Sequence, residues 1–171
     1  DRQAEGMQRI AERVDAAAAV SLMDLSVEAE CFGSQIVVSE DEVPTVKGSI
    51  VSDMEEVENL QIPPVGAGRT DIYIDAVRKA AEKIQDRPVF AGMIGPYSLA
   101  GRLLDVTEIM FYCYDEPEMV ALLLDKVSEF LISSGKAYKE PGANGIMLAE
   151  PLAGLPPPDL AHEFSCPYGE R

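Results

Sequence analysis

The sequence has 171 residues, 47% of them hydrophobic, and a formal net charge of −16 from 30 acidic against 14 basic side chains. That length and apolar content suit one globular domain with a real core and exclude a disordered chain. The acidic balance argues against nucleic acid or an anionic membrane surface as partners, since both call for a cationic footprint.

Met7, Ile10, Ala11 and Val14 recur at helical spacing, which predicts an opening helix. Residues 16–23 are apolar for the length of a strand and stop at Asp24. Alanine propensity argues for helix there, but an apolar run after a polar helix suits a buried parallel strand, expected near residues 17–23. Residues 25–33 read as a short helix or turn closed by Gly33, and residues 35–47 as a small hairpin or extended segment. Residues 52–70 are acidic and then loop-like, broken by Pro63-Pro64 and Gly66-Ala67-Gly68. Asp71 is placed to cap a helix whose one face carries Ile74, Val77, Ala80, Ala81 and Ile84.

Residues 89–94 form the second predicted strand, turned by Gly95-Pro96. Ser98 then caps a helix bearing Leu99, Leu103 and Leu104, and Thr107 opens a short helical stretch. Asp115-Glu116-Pro117-Glu118 reads as a helix start, with Asp115 at the cap and proline early. The stripe Val120, Leu123, Leu124, Val127, Phe130 and Leu131 follows, as far as Glu140-Pro141-Gly142. Residues 145–149 are the third strand, a loop runs to Pro156-Pro157-Pro158, and a last helix spans residues 159–165. Repeated strand-helix alternation implies α/β architecture, a parallel sheet with outer helices. An open doubly wound sheet and a barrel both satisfy it, and no Gly-x-Gly-x-x-Gly fingerprint favours a nucleotide fold.

Cys31, Cys113 and Cys166 stand far apart, which fits a reduced, cytoplasmic interior better than a disulfide framework. No apolar run approaches the roughly 20 residues of a membrane helix. The chain opens inside a helix without a leader pattern, and is expected to be a piece of a longer protein.

Three segments resemble the uroporphyrinogen decarboxylase superfamily. The first runs from Leu22-Met23-Asp24-Leu25-Ser26 through Val27-Glu28-Ala29-Glu30-Cys31-Phe32 to Gly33, and the second is Gly92-Met93-Ile94-Gly95-Pro96-Tyr97-Ser98-Leu99. The third joins Asp115-Glu116-Pro117-Glu118 to Gly142-Ala143-Asn144-Gly145, Glu150-Pro151-Leu152-Ala153-Gly154 and Glu163-Phe164, ending at Pro167-Tyr168. The resemblance implies a (β/α)8 TIM barrel, which takes ~250 residues, so residues 1–171 would be one incomplete domain covering the second to fourth strand-helix units. It also implies that the decarboxylases' arginine-rich first strand and the methyltransferases' His-x-Cys zinc strand lie outside this chain.

Where true decarboxylases have a tyrosine and a serine, this sequence has Arg102 and Pro151. Glu150-Pro151-Leu152-Ala153-Gly154 is more similar to the methylcobalamin:thiol methyltransferases. That branch implies methyl transfer from methylcobalamin or a corrinoid protein to a small thiol such as coenzyme M. A zinc ion, with ligands beyond these residues, would lower the thiol pKa. The alternatives are a tetrapyrrole decarboxylase and a non-catalytic barrel fragment; homo-oligomer formation stays open.

Asp24 and Glu150 are the candidate catalytic residues, each just past a strand end, where barrel active sites form. Asp24 accepts pyrrole N–H groups or orients a ligand in one reading, and caps the next segment in the other. Glu150 faces a zinc-bound thiol or holds a neighbouring ligand in one reading, and is a loop acid satisfied by backbone N–H groups in the other. Met93, Tyr97 and Arg102 are candidate substrate-binding residues: Tyr97 as a pocket wall with a hydroxyl handle, Arg102 as a carboxylate or sulfonate clamp. Met93 points into the barrel or outward, and Arg102 alternatively pairs with Asp105 at the surface. His162 lies in a helix without a cysteine two residues away and is not a zinc ligand on this reading. Met110, Met119 and Met147 read as core filler. No complete zinc site is expected within the chain. Asp24, Tyr97 and Glu150 are expected to converge in one cleft, with Arg102 at its rim.

Overall fold

The computed structural model describes residues 2–171. After helix α1 (Arg2–Arg13), strand β1 (Ala19–Val20) enters a three-stranded sheet. Helix α2 (Val27–Cys31), the hairpin β2 (Gln35–Val37) and β3 (Thr45–Lys47), and helices α3 (Met54–Asn59) and α4 (Thr70–Lys83) lead to β4 (Val89–Ile94). Helices α5 (Pro96–Leu104), α6 (Glu108–Asp115) and α7 (Pro117–Lys139) lead to β5 (Gly145–Ala149); a 3-10 turn (Pro151–Gly154) precedes α8 (Pro158–Phe164) and α9 (Cys166–Gly169). The sheet order is β1-β4-β5, parallel throughout, with Ala19 beside Val89 and Phe90 beside Gly145. The three expected strands are therefore present, adjacent and in the expected order.

Several boundaries differ from the sequence reading. The strand expected at residues 17–23 makes ladder pairs only at Ala19–Val20. The Ser21 N–H still donates to the Phe90 carbonyl, but Gly92 N–H is then taken by the Ser21 hydroxyl instead of a backbone carbonyl. A side chain has replaced the next rung. Helix α4 starts ahead of Asp71, which sits in its first turn, with Arg69 at the N-cap. Helix α5 is capped by Gly95 with Pro96 in its first turn, so Ser98 is inside the helix and caps nothing. Pro117 opens α7 after Glu116; Asp115, expected as the cap, is the last residue of α6. The segment expected to be loop at residues 52–70 contains α3, whose Asp53 carboxylate accepts from Glu56 N–H at 2.8 Å. Pro158 opens α8 one residue ahead of the expected start, and the chain turns helical again past Cys166-Pro167.

Two apolar clusters hold the layers together. Leu99, Leu103 and Leu104 of α5 pack with Val120, Leu123, Leu124 and Val127 of α7 in the larger cluster, closed by the edge-to-face pair Phe32–Phe130 at 5.2 Å. Each such fully buried leucine contributes about 2 kcal/mol of transfer free energy. Val77 and Ala80 of α4 meet Ala4 and Met7 of α1 and Val89 and Ala91 of β4 in the second. Met119 belongs to the core as expected, whereas Met147 on β5 is 43% exposed. Because the strands are parallel, their carboxyl ends share one face. Residues 21–28, 95–98 and 150–154 collect there.

Candidate functional site at the strand ends

Asp24 follows β1 and is tightly engaged. Its Oδ1 accepts from the Ser26 N–H at 3.0 Å and the Ser26 hydroxyl at 2.6 Å, and its Oδ2 accepts from Arg69 at 2.5 Å. Arg69, at the start of α4, also donates through Nε to Glu30 at 2.6 Å and through a terminal nitrogen to Ser26 Oγ at 3.0 Å. One guanidinium fork thus ties the strand-end loop, α2 and α4 together. Burial alone would raise the Asp24 carboxyl, but the hydrogen bonds from Ser26 and Arg69 outweigh it and hold the group below its ordinary value. The carboxylate is fixed in place and in charge.

Glu150 follows β5 and lies across the N-terminus of α5. Its two oxygens accept from the Tyr97 N–H at 2.9 Å and the Ser98 N–H at 2.7 Å. An anion at this end of a helix satisfies orphan donors and complements the dipole. The Ser98 hydroxyl returns the link by accepting from Leu152 N–H at 3.0 Å. This carboxylate-to-backbone arrangement is the loop-acid alternative raised from the sequence. Gly95 makes the close approach feasible: a Cβ there would lie 2.6 Å from Glu150 Cδ. Gly95→Ala is therefore expected to displace Glu150 from the helix end and cost about 2 kcal/mol in urea unfolding; an unchanged midpoint would contradict the arrangement.

The other candidates are distributed differently from expectation. The Tyr97 ring is 1% exposed and runs into the core, its hydroxyl 3.9 Å from Cys113 Sγ. Met93 is also buried, in the larger core cluster with the helices. Only the backbone of Tyr97 joins Glu150, so the expected cleft of Asp24, Tyr97 and Glu150 side chains is not what the structure shows. Asp24 and Glu150 occupy one end of the sheet as separate constellations. Arg102 does not pair with Asp105, whose carboxylate accepts from Thr107 and Glu108 N–H groups at 2.8 and 3.3 Å. Arg102 is instead half-buried, its Nε has no hydrogen-bond partner, and the acids influencing its charge are Asp24 and Glu28.

Two residues escaped the sequence reading. Arg69 lay in a segment read as loop; the only hint was a lone cation after Gly66-Ala67-Gly68 in an acidic stretch. Glu28 sits in the quoted first segment, yet nothing local marks it as buried, and it is 5% exposed.

Among the described residues, no three His, Cys, Asp or Glu side chains come together to hold a metal ion. His162 and Cys166 are exposed at the far end of the chain. The described residues do not fit a zinc ion. Among the described residues, no helix is long and apolar enough to cross a membrane.

Comparisons with known proteins agree with this architecture. The family model described as uroporphyrinogen decarboxylase (URO-D) matches residues 2–171. A methylcobamide:CoM methyltransferase, MtbA, of Methanosarcina acetivorans is 30% identical over 86% of this chain and 44% of its own length. A uroporphyrinogen decarboxylase of Psychromonas ingrahamii is 26% identical over 91% of this chain and 46% of its own length. The solved structure of a methyltransferase from Methanosarcina mazei superposes with a TM-score of 0.85 at 26% identity, over 95% of this chain and 49% of that one. The chain thus spans about half the length of the relatives it matches, and what it superposes on is one part of a longer enzyme. The match over residues 2–171 shows that the chain belongs to the uroporphyrinogen decarboxylase family.

Proposed function

We propose that these residues form part of a methyltransferase that passes a methyl group from a methylcorrinoid, free methylcobalamin or a corrinoid protein, to a small thiol such as coenzyme M. The observation that carries the reading is Arg102: a half-buried guanidinium without an ion-pair partner, near the ionised Asp24 at the carboxyl end of the sheet. A cation so placed suits the anionic head of a thiol substrate. The resemblance to MtbA supports the same choice.

In the transfer, the thiol gives its proton to solvent, a sulfur lone pair forms the S–CH3 bond, and the carbon–cobalt pair stays with the corrinoid. This chain's part is to bind and orient. Arg102 holds the anionic end, Asp24 shapes the pocket wall through its lock on Arg69, and Glu150 keeps the start of α5 in place. Met93 and Tyr97 support that wall from the core side. Zinc belongs to this reading only through ligands outside residues 2–171, and the cytoplasm is the compartment in which a free thiol substrate persists. The second reading, decarboxylation of a tetrapyrrole, rests on Asp24, a carboxylate where pyrrole N–H groups need an acceptor; both its oxygens already hold donors.

The test is demethylation of methylcobalamin by a thiol, followed by its absorbance, with the polypeptide that carries these residues in the cell. Asp24→Ala and Arg102→Gln are each expected to slow turnover on the order of a hundredfold while the fold melts cooperatively. Unchanged turnover in both would remove them from the mechanism.

A further inference from the structure

Glu28 is used by nothing described so far, and its setting is unusual. It lies on the first turn of α2, 5% exposed, where β1 has stopped pairing with β4. Backbone N–H groups of Glu28 itself and of Ile94 are directed at its carboxyl, yet its Oε2 has no hydrogen-bond partner. Beside it is a small cavity of about 10 Å³, lined by Asp24, Glu28, Tyr73, Gly92, Met93 and Tyr138. That is about the room of one water, with polar groups enough to hold it. A buried carboxylate with one oxygen left unpartnered is costly to ionise, so burial favours a proton on Glu28.

The second orphan is close by. Arg102, on α5, lacks a partner for its buried Nε, and α5 packs on α2. Arg102 favours the charged form of Glu28, while Asp24 opposes it. The other groups around Glu28 are the thiol of Cys31 on α2 and the phenols of Tyr73 on α4 and Tyr138 on α7, all above their ordinary values because they are buried. Arg69 is already committed to Asp24 and Glu30, which leaves Arg102 as the responsive cation.

We infer that Glu28 is an internal counter-charge for Arg102, absent while its carboxyl carries a proton and present once the proton leaves, and that it thereby sets the affinity of Arg102 for a sulfonate or carboxylate ligand. With Glu28 neutral, the guanidinium is free to take an external anion. With Glu28 ionised, the internal carboxylate competes for the same charge. Burial pushes Glu28 up to about 7, so the exchange falls where cells operate. By linkage, an anion bound at Arg102 must favour the protonated form, so binding near neutrality takes up protons. This inference rests on the anion-binding role proposed for Arg102.

The experiment is calorimetric titration with ethanesulfonate, a sulfonate without a thiol, at pH 6 and pH 8, in buffers of differing ionisation heat. The native protein is expected to bind on the order of tenfold tighter at the lower pH and to take up protons near pH 7. Glu28→Gln is expected to bind equally at both pH values with no proton uptake, and Arg102→Gln weakly at both. If Glu28→Gln keeps the native pH dependence while Arg102→Gln is weakened, the inference fails and the role of Arg102 stands. If Arg102→Gln binds like the native protein, or the native protein does not bind at all, both fail. Should Glu28→Gln not fold, the native protein decides alone: binding without proton uptake overturns the inference.

Discussion

Glu150→Ala is expected to lower the unfolding free energy by about 3 kcal/mol, read as a shift of the urea midpoint. Two charge-assisted bonds are lost at once, from the Tyr97 and Ser98 N–H groups. Both donors lie in a helix of which eight of the nine residues, all but Arg102, are buried, which limits their access to water. The loss therefore includes the desolvation of two unpaired N–H groups as well as the favourable interaction of a carboxylate with a helix N-terminus. Glu150→Gln retains one accepting oxygen and no charge, and is expected to lose about half as much. A loss below about 0.5 kcal/mol for the alanine variant would mean that the carboxylate does not hold the helix end.

Glu28→Gln is expected to do the opposite, and only at the right pH. The folded protein holds the Glu28 proton up to about 7, whereas the unfolded chain releases it near the ordinary value of 4.5. Between those two values the unfolded state binds fewer protons, so this residue reduces native stability progressively as pH rises through that window. Below the window it contributes nothing, and above it the penalty is constant. The interval from 4.5 to about 7 corresponds to about 3 kcal/mol. Glutamine occupies the same volume without a charge, so the variant should equal the native protein near pH 4 and exceed it by up to that amount near pH 8. A difference between the two proteins that stays flat from pH 4 to pH 8 would place the Glu28 proton elsewhere.

These residues also show what a sequence reveals. The strands β4 and β5 were legible because short apolar runs bounded by Gly95-Pro96 and Glu150-Pro151 have few other structures available. The stripe of α7 was legible because burial on one helical face imposes its own period. The extent of β1 was not, since its last rung is taken over by the Ser21 hydroxyl, a contact with Gly92 that only the folded chain creates. Capping was misplaced at Ser98 for a related reason. Serine is a good local cap, but here Glu150, distant in sequence, supplies the acceptors and the serine hydroxyl serves Leu152 instead.

The candidate site divides along the same line. Asp24 and Glu150 stood out because each ends an apolar strand on the carboxyl face of a parallel sheet and falls in a segment that resembles the family, which weighed most for Asp24. Their partners did not, since Arg69 reaches Asp24 and Glu30 from a segment that reads as a loop. Tyr97 was drawn toward the cleft by its place in the Gly-Pro turn, yet helix geometry sends its ring into the core while its N–H stays at the strand end. Backbone and side chain of one residue serve different regions, which spacing alone does not reveal.

Methyl transfer to a thiol and decarboxylation of a tetrapyrrole are the two activities to be separated. The most direct measurement gives the purified polypeptide that carries residues 1–171 in the cell two substrates side by side. One is methylcobalamin with coenzyme M, followed by loss of the methylcobalamin absorbance; the other is uroporphyrinogen, followed by release of carbon dioxide. Thiol-dependent demethylation that falls on the order of a hundredfold in Arg102→Gln, with no decarboxylation, is the expected result. Carbon dioxide release from uroporphyrinogen, with no thiol-dependent demethylation, would contradict it.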